Sequence, residues 1–227
     1  SLVGANPSRF GPEIQMNANG STIFMSGTSS DLHFIDPATG LTNSTIALSN
    51  LPPPTNRATA MEMVGSTLYA SVHQAGPEID PGVLGTINTT TGAFTTIGTM
   101  TGMNRPAGGL SFANGVMYSV TATDQNDGAL FSVNLANGIS TQIASLTLGA
   151  VQQEAATALA FADNKMYTLL QGGDTNLYSI NLANGEMTLE FDLGFQMNSL
   201  TASTAVPEPS TLLLLGTGLL GLVGYGR

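Results

Sequence analysis

The sequence predicts an all-β fold of propeller type, with about four four-stranded antiparallel blades and a short C-terminal hydrophobic helix. Two observations carry this reading. Four turns recur, Asp36-Pro37-Ala38-Thr39-Gly40, Asn88-Thr89-Thr90-Thr91-Gly92, Asn134-Leu135-Ala136-Asn137-Gly138 and Asn181-Leu182-Ala183-Asn184-Gly185, each after a short apolar run ending in Ile35, Ile87, Val133 or Ile180. Upstream of each turn stands an aromatic, and Phe24, Tyr69, Tyr118 and Tyr167 are spaced 45, 49 and 49 residues apart. A period of that length, with two hairpins per unit, is the mark of propeller blades.

Within each unit the elements follow from local chemistry. Glycine at a fixed place after Thr or Asn supplies the positive φ of a tight hairpin, so each turn joins two antiparallel strands. The innermost strands are expected at about 12–16, 58–63, 108–112 and 156–161. Runs such as Ala107-Gly108-Gly109-Leu110-Ser111-Phe112 suit that place, because small residues let blades crowd near an axis. A β-sandwich or β-solenoid would share the same turn chemistry; the regular spacing favours the propeller. Met197-Asn198-Ser199-Leu200-Thr201-Ala202 reads as one more innermost strand, which either closes the ring beside the first blade or pairs with a neighbouring molecule. The expected organisation is a propeller-like domain over 1–203, a Pro-rich linker over 204–209 and a hydrophobic helix over 210–227.

The repeat wording Leu177-Tyr178-Ser179-Ile180-Asn181-x-x-Asn184-Gly185-x-x-Thr188 resembles the degenerate repeats of secreted bacterial propellers, whose usual form is L-Y-x-I-D-x-x-T-G-x-x-T. The resemblance covers about 12–193 and bears on fold, not on ligand.

The end of the chain is of another kind. Val206, Pro207, Glu208 and Pro209 precede an apolar run from Leu212 to Tyr225 that closes on Arg227. The two prolines block a helix start before Ser210, and Ser210 or Thr211 can cap the helix that follows. From Leu212 to Tyr225 such a helix rises about 20 Å, short of the roughly 30 Å of a hydrocarbon core. Gly218, Gly221 and Gly224 recur at helical spacing and offer a smooth face for close helix packing. A G-x-G-x-x-G match at Gly216, Gly218 and Gly221 is accidental, since a dinucleotide site needs a helix and a second strand after it. Residues 206–227 resemble the PEP-CTERM signal, although Arg227 stands alone where that signal has a basic cluster. The resemblance implies an exported protein of a Gram-negative-type bacterium, handled by an exosortase-type membrane enzyme and sent to the cell surface or matrix, often alongside exopolysaccharide production. The start at Ser1 accords with a signal peptide already removed.

Composition narrows the chemistry. Only 9% of residues are charged, and a net charge of −10 repels phosphate backbones, so no nucleic acid partner is expected. Cysteine is absent, which leaves no disulfide framework and no thiolate site. His33 and His73 show no metal-ligand spacing and read as ordinary strand residues. Asp124-Gln125-Asn126-Asp127-Gly128 is oxygen-rich but lacks the spacing of a calcium loop, and Glu78-Ile79-Asp80 is a mild acidic cluster. No catalytic residue, metal site or organic cofactor is expected.

One constellation is periodic. Arg9, Arg57 and Arg105 recur at intervals of 48, which would set three of the five basic residues around one mouth of the propeller. They would bind an anion there, such as a sugar acid, a carboxylate or a partner's terminus, or pair with Glu13, Glu62 or Glu154 between blades; the second reading is favoured. The function expected is that of a non-enzymatic extracellular structural protein, self-associating through its tail into a filament or matrix. The alternative is a surface module binding exopolysaccharide or a protein, and a propeller hydrolase ranks last.

Overall fold

The computed structural model describes residues 10–16, 23–27, 30–53, 57–73, 81–121, 128–153, 156–170, 176–195 and 200–201. Every regular element among them is a strand. The first blade holds β1 (Phe10–Met16), β2 (Ile23–Gly27), β3 (Asp31–Ile35) and β4 (Thr42–Ala47); the second holds β5 (Arg57–Val64), β6 (Thr67–His73), β7 (Val83–Ile87) and β8 (Phe94–Thr99). The third holds β9 (Ala107–Ala113), β10 (Val116–Thr121), β11 (Ala129–Val133) and β12 (Ser140–Ser145). After it comes a two-stranded hairpin, β13 (Thr147–Leu148) and β14 (Val151–Gln152), and then a fourth blade of β15 (Ala156–Ala162), β16 (Lys165–Leu170), β17 (Asn176–Ile180) and β18 (Met187–Asp192). Each blade is a four-stranded antiparallel meander in chain order.

The innermost strands lie where the repeat places them. Along the chain β1 touches β5, β5 touches β9 and β9 touches β15, while β15 meets β1 more lightly. The two hairpins of a blade close differently. Between the first and second strands of blades 2, 3 and 4 a two-residue turn suffices, and Asn114-Gly115 and Asp163-Asn164 take the paired positive φ that matches strand twist. Between third and fourth strands Asp36, Asn88, Asn134 and Asn181 each accept, on the side-chain oxygen, the N–H two residues on, at 2.7–2.9 Å. The glycine amide four residues on then donates to the backbone carbonyl of the same Asp or Asn.

Three apolar clusters lock the blades side by side. Leu32, Leu48, Met61, Leu68 and Phe94 join blades 1 and 2. Leu84, Met100, Leu110, Met117 and Phe131 join blades 2 and 3. Leu130, Leu146, Leu159, Met166 and Tyr178 join blades 3 and 4. Of the aromatics on the second strands, Tyr69 packs toward blade 3 and Tyr118 toward blade 4.

The turn glycines also hold the joints. The amide of Ser49 donates to Gly92 O and that of Phe94 to Ser49 O, at 3.0 and 2.9 Å. Ser140 N donates to Thr101 O at 2.7 Å, and Thr147 N to Gly185 O at 3.1 Å. A side chain on Gly92 would strike Ala47 O, one on Gly138 would strike Gly98 O and one on Gly185 would strike Ser145 O. Each turn therefore seats against the end of the preceding blade's outermost strand, and glycine is required there for close approach as well as for its φ.

Candidate functional site

Small residues let neighbouring innermost strands approach closely. A Cβ on Gly109 would lie 2.5 Å from Leu159 N and 2.7 Å from Ala158 C, so β9 and β15 run backbone against backbone. Ser119 Oγ donates to Gly109 O at 3.0 Å, and Thr168 Oγ1 to Ala158 O at 2.8 Å, which satisfies the inner-strand carbonyls that this packing buries.

Arg57 opens β5 opposite His73, and Arg105 stands two residues before β9 begins. Both therefore mark the entry to neighbouring innermost strands. They are one residue out of structural equivalence: Ala58 pairs with Val72 as Ala107 pairs with Thr121, which aligns Arg57 with Pro106. Arg9 and Glu154 lie outside the described residues, as do Val206, Pro207, Glu208, Pro209, Gly218, Gly221 and Gly224, the clusters at 78–80 and 124–127, and the expected helix over 210–227. Of the strand expected at 197–202, Leu200 and Thr201 are described, and Thr201 Oγ1 lies 3.4 Å from Gln15 Oε1 on β1.

Glu62 takes a partner that spacing alone does not suggest. Its Oε1 accepts the backbone N–H of Phe112 on β9 at 2.8 Å, a bond that crosses from blade 2 to blade 3. Burial pushes this carboxyl up to about 7, against the smaller lowering effect of the Phe112 bond. A backbone amide in the next blade has no sequence signature, so only the fold reveals the contact.

His33 lies beside Thr45 Oγ1 at 3.0 Å and 3.9 Å from Asp31, while His73 is buried at the end of β6. Both are strand residues, as expected. No group of three metal-ligating side chains comes together among the described residues. A shallow groove of about 440 Å³ runs over blade 4, lined by Lys165, Ser179, Asn181, Glu186 and Thr188. Beside it Lys165 donates to Glu190 at 2.7 Å, a bond that raises the lysine and lowers the glutamate from their ordinary ranges.

Residues 205–227 match the PEP-CTERM protein-sorting motif. The chain carries a PEP-CTERM tail. Such a tail marks a protein for processing by exosortase and for export to the cell surface of Gram-negative-type bacteria. No curated protein matches the sequence. Among solved structures, glutaminyl cyclase of Myxococcus xanthus is 15% identical with a TM-score of 0.58, over 95% of this chain and 80% of that one. Hydrazine synthase of Kuenenia stuttgartiensis is 13% identical with a TM-score of 0.51, over 82% of this chain and 49% of that one. The PEP-CTERM chain thus spans about half the length of the hydrazine synthase chain it matches. At these identities the likeness is one of fold, that of a β-propeller.

Proposed function

We propose that this exported β-propeller is a non-enzymatic structural protein of the cell surface or extracellular matrix, which self-associates into a filament or matrix. The observation that supports this reading is the close seating of neighbouring blades. Where β9 and β15 press main chain on main chain, Gly109 and Ala158 leave no room for a ligand between blades 3 and 4. The sorting tail supports the location. An apolar segment with almost no polar side chains needs cover, since shielding it is worth about 25 cal/mol per Å². A retained tail finds that cover in a bilayer or in another subunit.

The test is imaging of the native protein purified from the cell surface, with mass spectrometry of its C-terminus. Filaments or ordered sheets support the structural reading; dispersed single discs overturn it. Deleting 206–227 is expected to leave a soluble domain that is no longer retained at the surface. The second reading, a binding module for exopolysaccharide, is favoured by the groove beside Lys165 and Glu190 and by the arginines at the strand entries. Retention of the propeller on immobilised native polysaccharide, lost in an Arg9→Gln, Arg57→Gln, Arg105→Gln variant that stays folded, would put this reading first.

A further inference from the structure

The two ends of the propeller differ in charge, and the chain departs for its tail from one of them. First and second strands are joined at one end; second and third strands are joined at the other. The first end holds the short turns Gly65-Ser66, Asn114-Gly115 and Asp163-Asn164, whose one carboxylate, Asp163, is closely followed by Lys165. The matching residues of blade 1, 17–22, include no charged side chain. At the opposite end, the residues that join second to third strands in blades 2, 3 and 4 include Glu78, Asp80, Asp124, Asp127 and Asp174 and no Lys or Arg. Arg57 and Arg105 stand at this end too, and leave it net acidic.

Thr201 marks the point of departure. Blade 4 finishes at Asp192, which pairs with Asn176 where β17 begins, at the acidic end. Nine residues on, Thr201 Oγ1 donates to Gln15 Oε1 at 3.4 Å. Gln15 is 7% exposed and pairs with Phe24, one residue short of the end of β1. Between Asp192 and Thr201 the chain therefore passes from the outermost strand of blade 4 to the innermost strand of blade 1, and from the acidic end to the short-turn end. Only six residues then separate Thr201 from Pro207, and eleven from Leu212, where the apolar run begins. Fully extended, eleven residues reach at most about 40 Å.

We propose that the short-turn end of the propeller faces the lipid bilayer that holds the sorting tail, and that the acidic end is turned away from it. Two arguments agree. The first strands are about 25 Å long, so presenting the acidic end would use up more than half of the available reach along the side of the domain. An anionic headgroup surface also repels an end that carries five carboxylates far more than one that carries a single carboxylate beside a lysine. The inference rests on the apolar segment being held in a membrane. It does not rest on self-association, and it applies to a single copy.

The experiment uses the full chain, produced without a sorting enzyme so that the tail is kept, as single copies in nanodiscs of phosphatidylethanolamine and phosphatidylglycerol. The protein has no cysteine, so Ser66→Cys and Asn104→Cys, both at exposed positions, set one donor dye at the short-turn end or at the acidic end. The acceptor dye is carried on lipid headgroups. With the ends about 25 Å apart, energy transfer from position 66 is expected to exceed that from position 104 about two-fold or more. Equal transfer, or the reverse order, overturns the orientation. In discs of neutral phosphatidylcholine the same order is expected, because the short tether acts without charge; a contrast that vanishes there overturns the tether argument. Imaging of the native protein stays independent of this result: single discs with the contrast intact remove self-association and leave the orientation standing.

Discussion

Glu62 is a carboxyl drawn under a neighbouring blade with a single backbone N–H as its recorded partner, and burial outweighs that bond. Its folded value of about 7 stands above the ordinary 4.5, so the native state holds the proton over a range where the unfolded chain has lost it. Stability from this group is therefore full below about pH 4.5 and is lost as pH rises through 7, by roughly 3 kcal/mol at most. Glu62→Gln keeps an acceptor for Phe112 and removes the charge. In urea titrations its stability is expected to match the parent near pH 5 and exceed it progressively toward pH 8; a constant difference across that range would count against a raised carboxyl. Gly109→Ala tests packing at the axis, since the methyl meets backbone and not a movable side chain. A loss of about 1–3 kcal/mol is expected from overpacking. The need for glycine in the turns is legible in the sequence because Asx-type caps and positive φ are local. The partner of Glu62 is not, because it lies 50 residues away on a strand that any sequence could supply.

At the scale of elements, the four hairpin pairs are legible because alternation, turn glycines and aromatics repeat together. Innermost strands expected at 58–63 and 108–112 are found at Arg57–Val64 and Ala107–Ala113. The β13–β14 hairpin escapes notice: Thr147-Leu148 and Val151-Gln152 are two-residue strands around Gly149, too short to show a period. The equal spacing of the arginines is also a weaker guide than it looks. Blades 2 and 3 carry the same bulge, at Ala58/Ala60 and at Ala107/Gly109, and their first strands match, Ala58 with Ala107, at an interval of 49, so arginines 48 apart fall one position out of equivalence. The residues that follow the fourth strands give a direct test of the joints. Leu146→Ala, in a sealed joint, is expected to cost about 2–5 kcal/mol by urea denaturation, and Leu193→Ala less than about 1. Equal losses would mean that the flank of blade 4 is as well covered as the others.

At the scale of the molecule, stability is a chain of neighbour terms, as in other repeat architectures. Blades 2 and 3 have an apolar cluster on each side, while the clusters described for blades 1 and 4 lie on one side only. Hydrogen exchange is accordingly expected to be slowest in β6, β7, β10 and β11 and faster in the matching strands of blades 1 and 4. The net charge of −10 keeps single domains apart at low salt, so added salt is expected to favour assembly.

The one-way build of the joints bears on how such a chain leaves a cell. A blade offers a flank, and the blade made after it brings the turn that covers it. In a polypeptide emerging N-terminus first, no blade has to wait for a distant segment to complete its own sheet, since each is a meander of consecutive strands. What stays uncovered at any moment is the flank of the latest blade, for as long as the next 47 or so residues take to arrive. The exposed strip of Leu189, Phe191 and Phe195 is particular to blade 4, for Phe191 stands where the earlier blades hold Ile46, Gly98 and Ala144.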